Sequence, residues 1–140
     1  DVSARALAKA LLTDSAMVSL DVSHAGLSDL AGAFLCRALR KNRSMIKLEL
    51  GGNRLGPKTC RSLGDALCTN DALQFVNLES NPLTGEKADD MSGIVAIAHM
   101  VRQNKTLRYL SLWRCDIGPE GGEIVADAVC SNNILTCIES

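Results

Sequence analysis

The chain has 140 residues and a formal charge of −1, with 46% apolar residues. That length suits one domain with a sizeable core, and the near-balanced charge excludes the basic footprint of a nucleic-acid partner or a polybasic membrane patch. No apolar run approaches the ~18–20 residues needed to span a bilayer, so membrane insertion is not expected. The start, Asp1 to Arg5, has no basic segment leading into an apolar one and so does not read as a signal peptide.

In chain order, Ala4, Leu7, Ala8, Ala10 and Leu11 fall on one face of a helix. From Met17 onward a unit recurs. Its anchors are Met17, Met45, Leu73, Leu107 and Leu135, which lie 28, 28, 34 and 28 residues apart. A period in this range signals stacked supersecondary units. The clearest copy, Leu107 to Cys115, reads L-x-x-L-x-L-x-x-C. Inward strand residues are Leu20 and Val22, Leu48 and Leu50, Val76 and Leu78, Leu110 and Leu112. Each strand gives way to a helical pattern, with Leu35, Cys36, Ala38 and Leu39 in the first unit and Leu63, Gly64, Ala66 and Leu67 in the second. Ile97, Ala98, Met100 and Val101 follow in the third, and Val125, Ala126, Ala128 and Val129 in the fourth. The period switches from two to 3.6 in every unit, so each is strand, turn, helix. Strands joined by helices stack in parallel with the helices on one side.

The ninth position of the units holds Ala25, Asn53, Asn81 and Cys115. Asn or Cys there is expected to cap the turn after its strand. Ala25 cannot, so the first unit should have the loosest turn. Asn42, Asn70, Asn104 and Asn132 fall where each helix stops, a place at which Asn tolerates a left-handed cap. The long third unit leaves Lys87 to Ser92 over, either a tolerated surface loop or a protrusion that meets a partner.

Strand, turn, helix and cap positions together resemble the leucine-rich repeat family, specifically its ribonuclease-inhibitor-like class of 28-residue units. The resemblance implies an α/β horseshoe solenoid, with parallel strands on the concave face and helices on the convex face. It divides the chain into the end of a preceding repeat (1–16), full repeats at 17–44, 45–72, 73–106 and 107–134, and the start of another at 135–140. Neither end carries a polar capping repeat, which points to a segment of a longer solenoid. The family binds proteins, usually on the concave face. Here strand positions three, five, seven and eight face that side. They include Lys47 and Glu49, then Phe75, Asn77 and Glu79, then Tyr109, Ser111, Trp113 and Arg114, with Cys137 and Glu139 on a fifth strand. Three of the four aromatics sit there, and only Phe34 is on a helix. Trp, Tyr and Arg are enriched at binding hot spots.

The expected function is therefore a non-enzymatic module that binds a protein partner through the concave face, in the cytoplasm. A structural subunit of a cytoskeletal or axonemal assembly is the main alternative, and a GTPase-activating type of regulator a more distant one. No cofactor, metal or small-molecule substrate is expected. The six cysteines form no C-x-x-C pair and read as reduced thiols, most of them buried. His24 and His99 are isolated from the cysteines and from each other, unlike zinc ligands. Gly51 to Thr59 brushes against a phosphate-binding loop, but Pro57 intrudes between the second Gly and Lys58. Asn42-Arg-Ser44 and Asn104-Lys-Thr106 match glycosylation sequons on asparagines that the repeat already explains.

Overall fold

A computed structural model describes residues 2–132, 134–135 and 137–139. Helices and strands alternate along the chain: α1 (Val2–Thr13), β1 (Ser19–Asp21), α2 (Asp29–Ala38), β2 (Lys47–Glu49) and α3 (Pro57–Leu67). They continue as β3 (Phe75–Asn77), α4 (Ser92–Gln103), β4 (Tyr109–Ser111), α5 (Gly118–Cys130) and β5 (Cys137–Glu139). The strands form one parallel sheet in sequential order. Each helix packs on the next, α1 on α2 through to α4 on α5. This is an α/β fold with a parallel sheet and, among the described residues, five helices.

The register follows the sequence period. Ser19, Lys47, Phe75, Tyr109 and Cys137 are successive partners across the sheet. Equivalent positions therefore line up as columns. The column Leu48, Val76, Leu110 and the column Leu50, Leu78, Leu112 are fully buried, while Leu20 at the β1 end is only partly covered. At about 25 cal/mol per Å² of apolar surface, columns of this kind supply the main driving force for stacking. The helical residues named above are buried in α2, α3 and α4. In α5 the pattern weakens. Val125 and Ala128 are buried, but Ala126 is exposed and Val129 half-buried, because among the described residues only α4 packs on this helix.

Two columns of asparagine tie the units together, and their geometry corrects two expectations. In the first column each side chain reaches backward. Asn53 Oδ1 accepts from Ala25 N–H and Leu27 N–H, and Asn81 Oδ1 accepts from Asn53 N–H and Leu55 N–H. The turn around Ala25 is thus capped by the following unit and is not left open. In the second column Asn42, Asn70, Asn104 and Asn132 take no left-handed conformation; Asn104, for example, has φ −73° and ψ 135°. Their amides bridge units instead. Asn70 Nδ2 donates to Leu39 O and Asn42 O, while its Oδ1 accepts from Ala72 N–H and Leu73 N–H. Asn104 repeats this on Leu67 O, Asn70 O, Thr106 N–H and Leu107 N–H. These are the orphan carbonyls of helix ends finding donors. Asn42 and Asn104, the two sequon residues, are buried with both amide ends engaged.

Residues 83–88 form turns ahead of α4, closed by Gly85 N–H to Pro82 O, Ala88 N–H to Gly85 O and Asp90 N–H to Thr84 O. The extra residues of the long unit, Lys87 to Ser92, thus make a hydrogen-bonded loop, exposed except for Met91, which packs against the core, and the first residue of α4. Arg61 of α3 reaches it through a 2.6 Å bond to Ser92 Oγ.

Candidate functional site

The outer face of the sheet is built from the residues between the leucine columns. Because strand side chains alternate, positions three and five share this face. Lys47, Phe75 and Tyr109 lie in one row across β2, β3 and β4. The Phe75 and Tyr109 rings stack at 4.2 Å with only 5° between their planes. Lys47 Nζ lies 4.7 Å from the Phe75 ring centre and 3.6 Å from Glu49 Oε1. The row is a cation–aromatic–aromatic stack, with each contact contributing roughly 0.5–1.5 kcal/mol.

Position five carries Asp21, Glu49, Asn77 and Ser111. Asp21 Oδ1 accepts from Ser23 N–H at 2.9 Å, and Asn77 Oδ1 from Glu79 N–H at 2.9 Å. The Ser23 backbone N–H holds the exposed Asp21 carboxyl below its usual range, helped by the Ser23 side chain. Ser111 is fully buried, with its Oγ 3.5 Å from Trp113 N. It shapes the strand end and is not a contact surface, contrary to its expected role.

Position eight has a property that the sequence hides. His24, Gly52, Ser80 and Arg114 all have positive φ, between 54° and 65°. A left-handed residue breaks the strand alternation, so neighbouring side chains at positions seven and eight can share a face. That brings the Arg114 guanidinium over the Trp113 ring, 4.4 Å from its centre, while Trp113 stays 46% exposed. Where position eight is Gly52, His24 occupies the vacated space: an added Cβ would meet its Nδ1 at 2.1 Å. Glu79 lies against Gly51 in the same way.

The site thus has two parts, the Lys47–Phe75–Tyr109 stack and the exposed Trp113–Arg114 pair at the strand end. Lys47 is exposed, and Glu49, Asn77 and Glu79 are half-buried beside them. The side chains of Cys137 and Glu139 lie outside the described residues.

The other chemical candidates resolve into structure. Asp29 accepts from Gly56 N–H, Lys58 N–H, Thr59 N–H and Thr59 Oγ1 at 2.8–3.0 Å. A carboxylate from the preceding unit therefore occupies the α3 N-terminus, where the loop pattern would have cradled phosphate. Nothing in the sequence spacing pointed to Asp29, which is a first-turn residue of its own helix. Burial pushes the Cys36 thiol up to about 12 and Cys115 to about 11, and Cys60 well above its ordinary value. Thiols so placed are poor nucleophiles. Among the described residues no group of His, Cys, Asp or Glu is arranged to hold a metal ion, and no helix is long and apolar enough to cross a membrane.

The repeating strand–turn–helix unit, its in-register leucine columns and its asparagine ladders define the class. Residues 103–126 match the family model described as Leucine Rich repeat, and the chain belongs to the leucine-rich repeat family. It is 30% identical over 135 residues to NACHT, LRR and PYD domains-containing protein 14 of Mus musculus, a match that covers 95% of this chain and 13% of that protein. It is 32% identical over 76 residues to Tropomodulin-4 of Bos taurus, covering 54% of this chain and 20% of that one. The chain therefore spans a small part of these curated relatives. Among solved structures, leiomodin-1 actin-binding site 2 superposes with a TM-score of 0.82 at 22% identity, covering 96% of this chain and 76% of that one. The tropomodulin C-terminal domain of Caenorhabditis elegans gives 0.55 at 11% identity, covering 92% of both. At these identities the two structures speak for the fold.

Proposed function

We propose that the chain is a non-enzymatic module that binds a partner protein through the strand face of its sheet. The repeats would belong to the ribonuclease-inhibitor-like class and the stack would curve as a horseshoe, with the strands concave and the unit boundaries at 17, 45, 73, 107 and 135. The observation that carries the reading is Trp113. A residue type that normally buries most of its surface stands 46% exposed beside Arg114 and the Phe75–Tyr109 stack. Exposed aromatics grouped with Arg mark binding surfaces. Lys47, Glu49, Asn77, Glu79, Tyr109 and Phe75 would form the rest of the contact.

Two steps test this. Crosslinking mass spectrometry on native extract identifies the protein that reaches Lys47 on the strand face. Trp113→Ala should then weaken binding of that purified partner by ~2 kcal/mol or more, with the thermal melt little changed because the side chain is 46% exposed. Unchanged affinity would place the contact elsewhere.

A second reading has its own support: a cytoskeletal, cytoplasmic role with an actin-type partner. Tropomodulin-4 stands in the sequence comparison and the leiomodin-1 actin-binding site in the structural one. Co-sedimentation with filaments and elongation of labelled actin test it. No binding and no change in elongation at micromolar concentration would remove actin as the partner and leave the general reading standing.

A further inference from the structure

The repeat supplies its own control for what a solvated helix face looks like. Counting back from the end of each unit, Leu30, Phe34 and Arg37 of α2 correspond to Lys58, Ser62 and Asp65 of α3. They correspond to Glu120, Ile124 and Asp127 of α5. The α3 face is polar and mixed in charge, and the α5 face is acidic around one half-buried isoleucine. The α2 face is apolar and cationic. Leu30 is 58% exposed, Phe34 37%, and Leu12 of α1 54%.

Leu12 and Phe34 border a groove of about 560 Å³ on the helix side, lined also by Ala8, Arg37, Arg40 and Lys41, with Ala38 and Thr69 completing it. Three lining residues are cations and none is a carboxylate. A fourth cation, Arg5, lies 5.7 Å from the Phe34 ring centre on α1, while Arg37 lies 5.8 Å from it. Arg40 reaches out to Asp65 at 3.4 Å in an exposed pair that contributes little. In a chain with net charge −1, this leaves a strongly one-sided rim around an apolar floor. Helix polarity accounts for a cation in the last turn of α2, but not for the exposed Leu12, Leu30 and Phe34 beside it.

We propose that the α1–α2 groove docks an acidic amphipathic segment of a partner protein. A bulky apolar side chain of that segment rests on Leu12 and Phe34, and flanking carboxylates pair with Arg37, Arg40 and Lys41. The surface lies on the helix side, distinct from the strand face proposed above, and does not depend on that reading. The groove accommodates one or two side chains, so the contact is of the weak, charge-steered kind.

The test uses a fluorescein-labelled synthetic helix of about 18 residues, with Leu at helical spacing and Glu elsewhere, and its Lys-for-Glu counterpart. The Glu probe should bind the chain saturably, with amide shifts confined to Ala8, Leu12, Phe34 and Thr69 and their neighbours. The charge reversal Arg37→Glu with Lys41→Glu should weaken it at least tenfold, as should Leu12→Ser with Phe34→Ser. Exposure of all four positions keeps these variants folded, which circular dichroism checks. Trp113→Ala should leave the probe's affinity unchanged. Equal binding of the Lys probe, indifference to the groove variants, or shifts centred on the strand face would each overturn the proposal. So would a concentration-dependent dimer in sedimentation that Phe34→Ser abolishes, since the occupant would then be a second copy of the chain.

Discussion

The turns of the second and third units differ from those of the first and fourth. Asn53 and Asn81 bend the chain with a side chain. Asn53 Nδ2 donates to Val22 O and Leu50 O, and Asn81 Nδ2 to Leu50 O and Leu78 O. The residues after them, Arg54 and Pro82, keep ordinary backbone angles. Ala25 and Cys115 have no amide to offer. In those units the next residue goes left-handed as well, Gly26 at φ 70° and Asp116 at φ 56°. The bend is then made by the backbone, with two positive-φ residues in three. The cost falls differently too. Gly26 adopts its angle freely, whereas Asp116 is in a region that disfavours a side chain. One position in the repeat thus selects between two turn chemistries, and the choice also reaches backward, because Asn53 and Asn81 each cap the turn of the unit before.

Removing the asparagines should break the contrast most severely. Asn81→Ala strands Asn53 N–H and Leu55 N–H, both on buried residues, and should cost about 3–4 kcal/mol in urea unfolding. Asn53→Ala strands Ala25 N–H and Leu27 N–H, of which the first lies on an exposed residue that water can reach, and should cost about 2–3 kcal/mol. Amide exchange should quicken in the preceding unit's turn in each case; quickening only in the mutated unit would contradict the backward cap. Cys115→Asn sharpens the comparison from the other side. In the native chain the Cys115 thiol, 3.1 Å from Leu78 O, makes the strand-end contact, and Leu83 N–H turns instead to Asn81 O. An amide there should recover both bonds, raise stability by about 1 kcal/mol and lift the melting temperature by roughly 3 °C. A fall would mean that the Asp116 conformation is imposed by something other than residue 115.

The smallest effect is one of pH. Burial raises the Cys115 thiol from its ordinary 9.0 to about 11. A raised folded pKa contributes stability below pH 9 that is lost as pH climbs to 11, since the unfolded chain ionises first. Relative to Cys115→Asn, the native chain should lose under about 1 kcal/mol by pH 9.5. Parallel melting curves for the two across that window would argue against a neutral, buried thiol.

Much of this architecture was legible in the residues. Spacing of Met17, Met45, Leu73 and Leu107 fixed the register that β1 to β4 show, because a one-residue slip would turn every leucine outward. What could not be read was where the polar side chains bond across units. Asn53 looked local, and its backward bond to Ala25 N–H spans 28 residues. The place of Asn70 suggests a cap for its own helix, yet its amide serves carbonyls of the unit before. Asp29 gave no signal because its partners lie a repeat away. For the candidate site, the face of Lys47, Phe75 and Tyr109 followed from alternation, and their stacking from register. Ser111 departs from this because alternation gives the direction of a side chain and not its burial.

The asparagine column at Asn42, Asn70, Asn104 and Asn132 gives the molecule a mechanical grain. Each amide holds carbonyls of the previous unit and amides at the start of the next strand. Force applied along the stacking direction would load these links in series, so they would yield one at a time and the chain would peel unit by unit. Force applied along the strands would load every link in parallel, and the same bonds would resist together as a shear clamp.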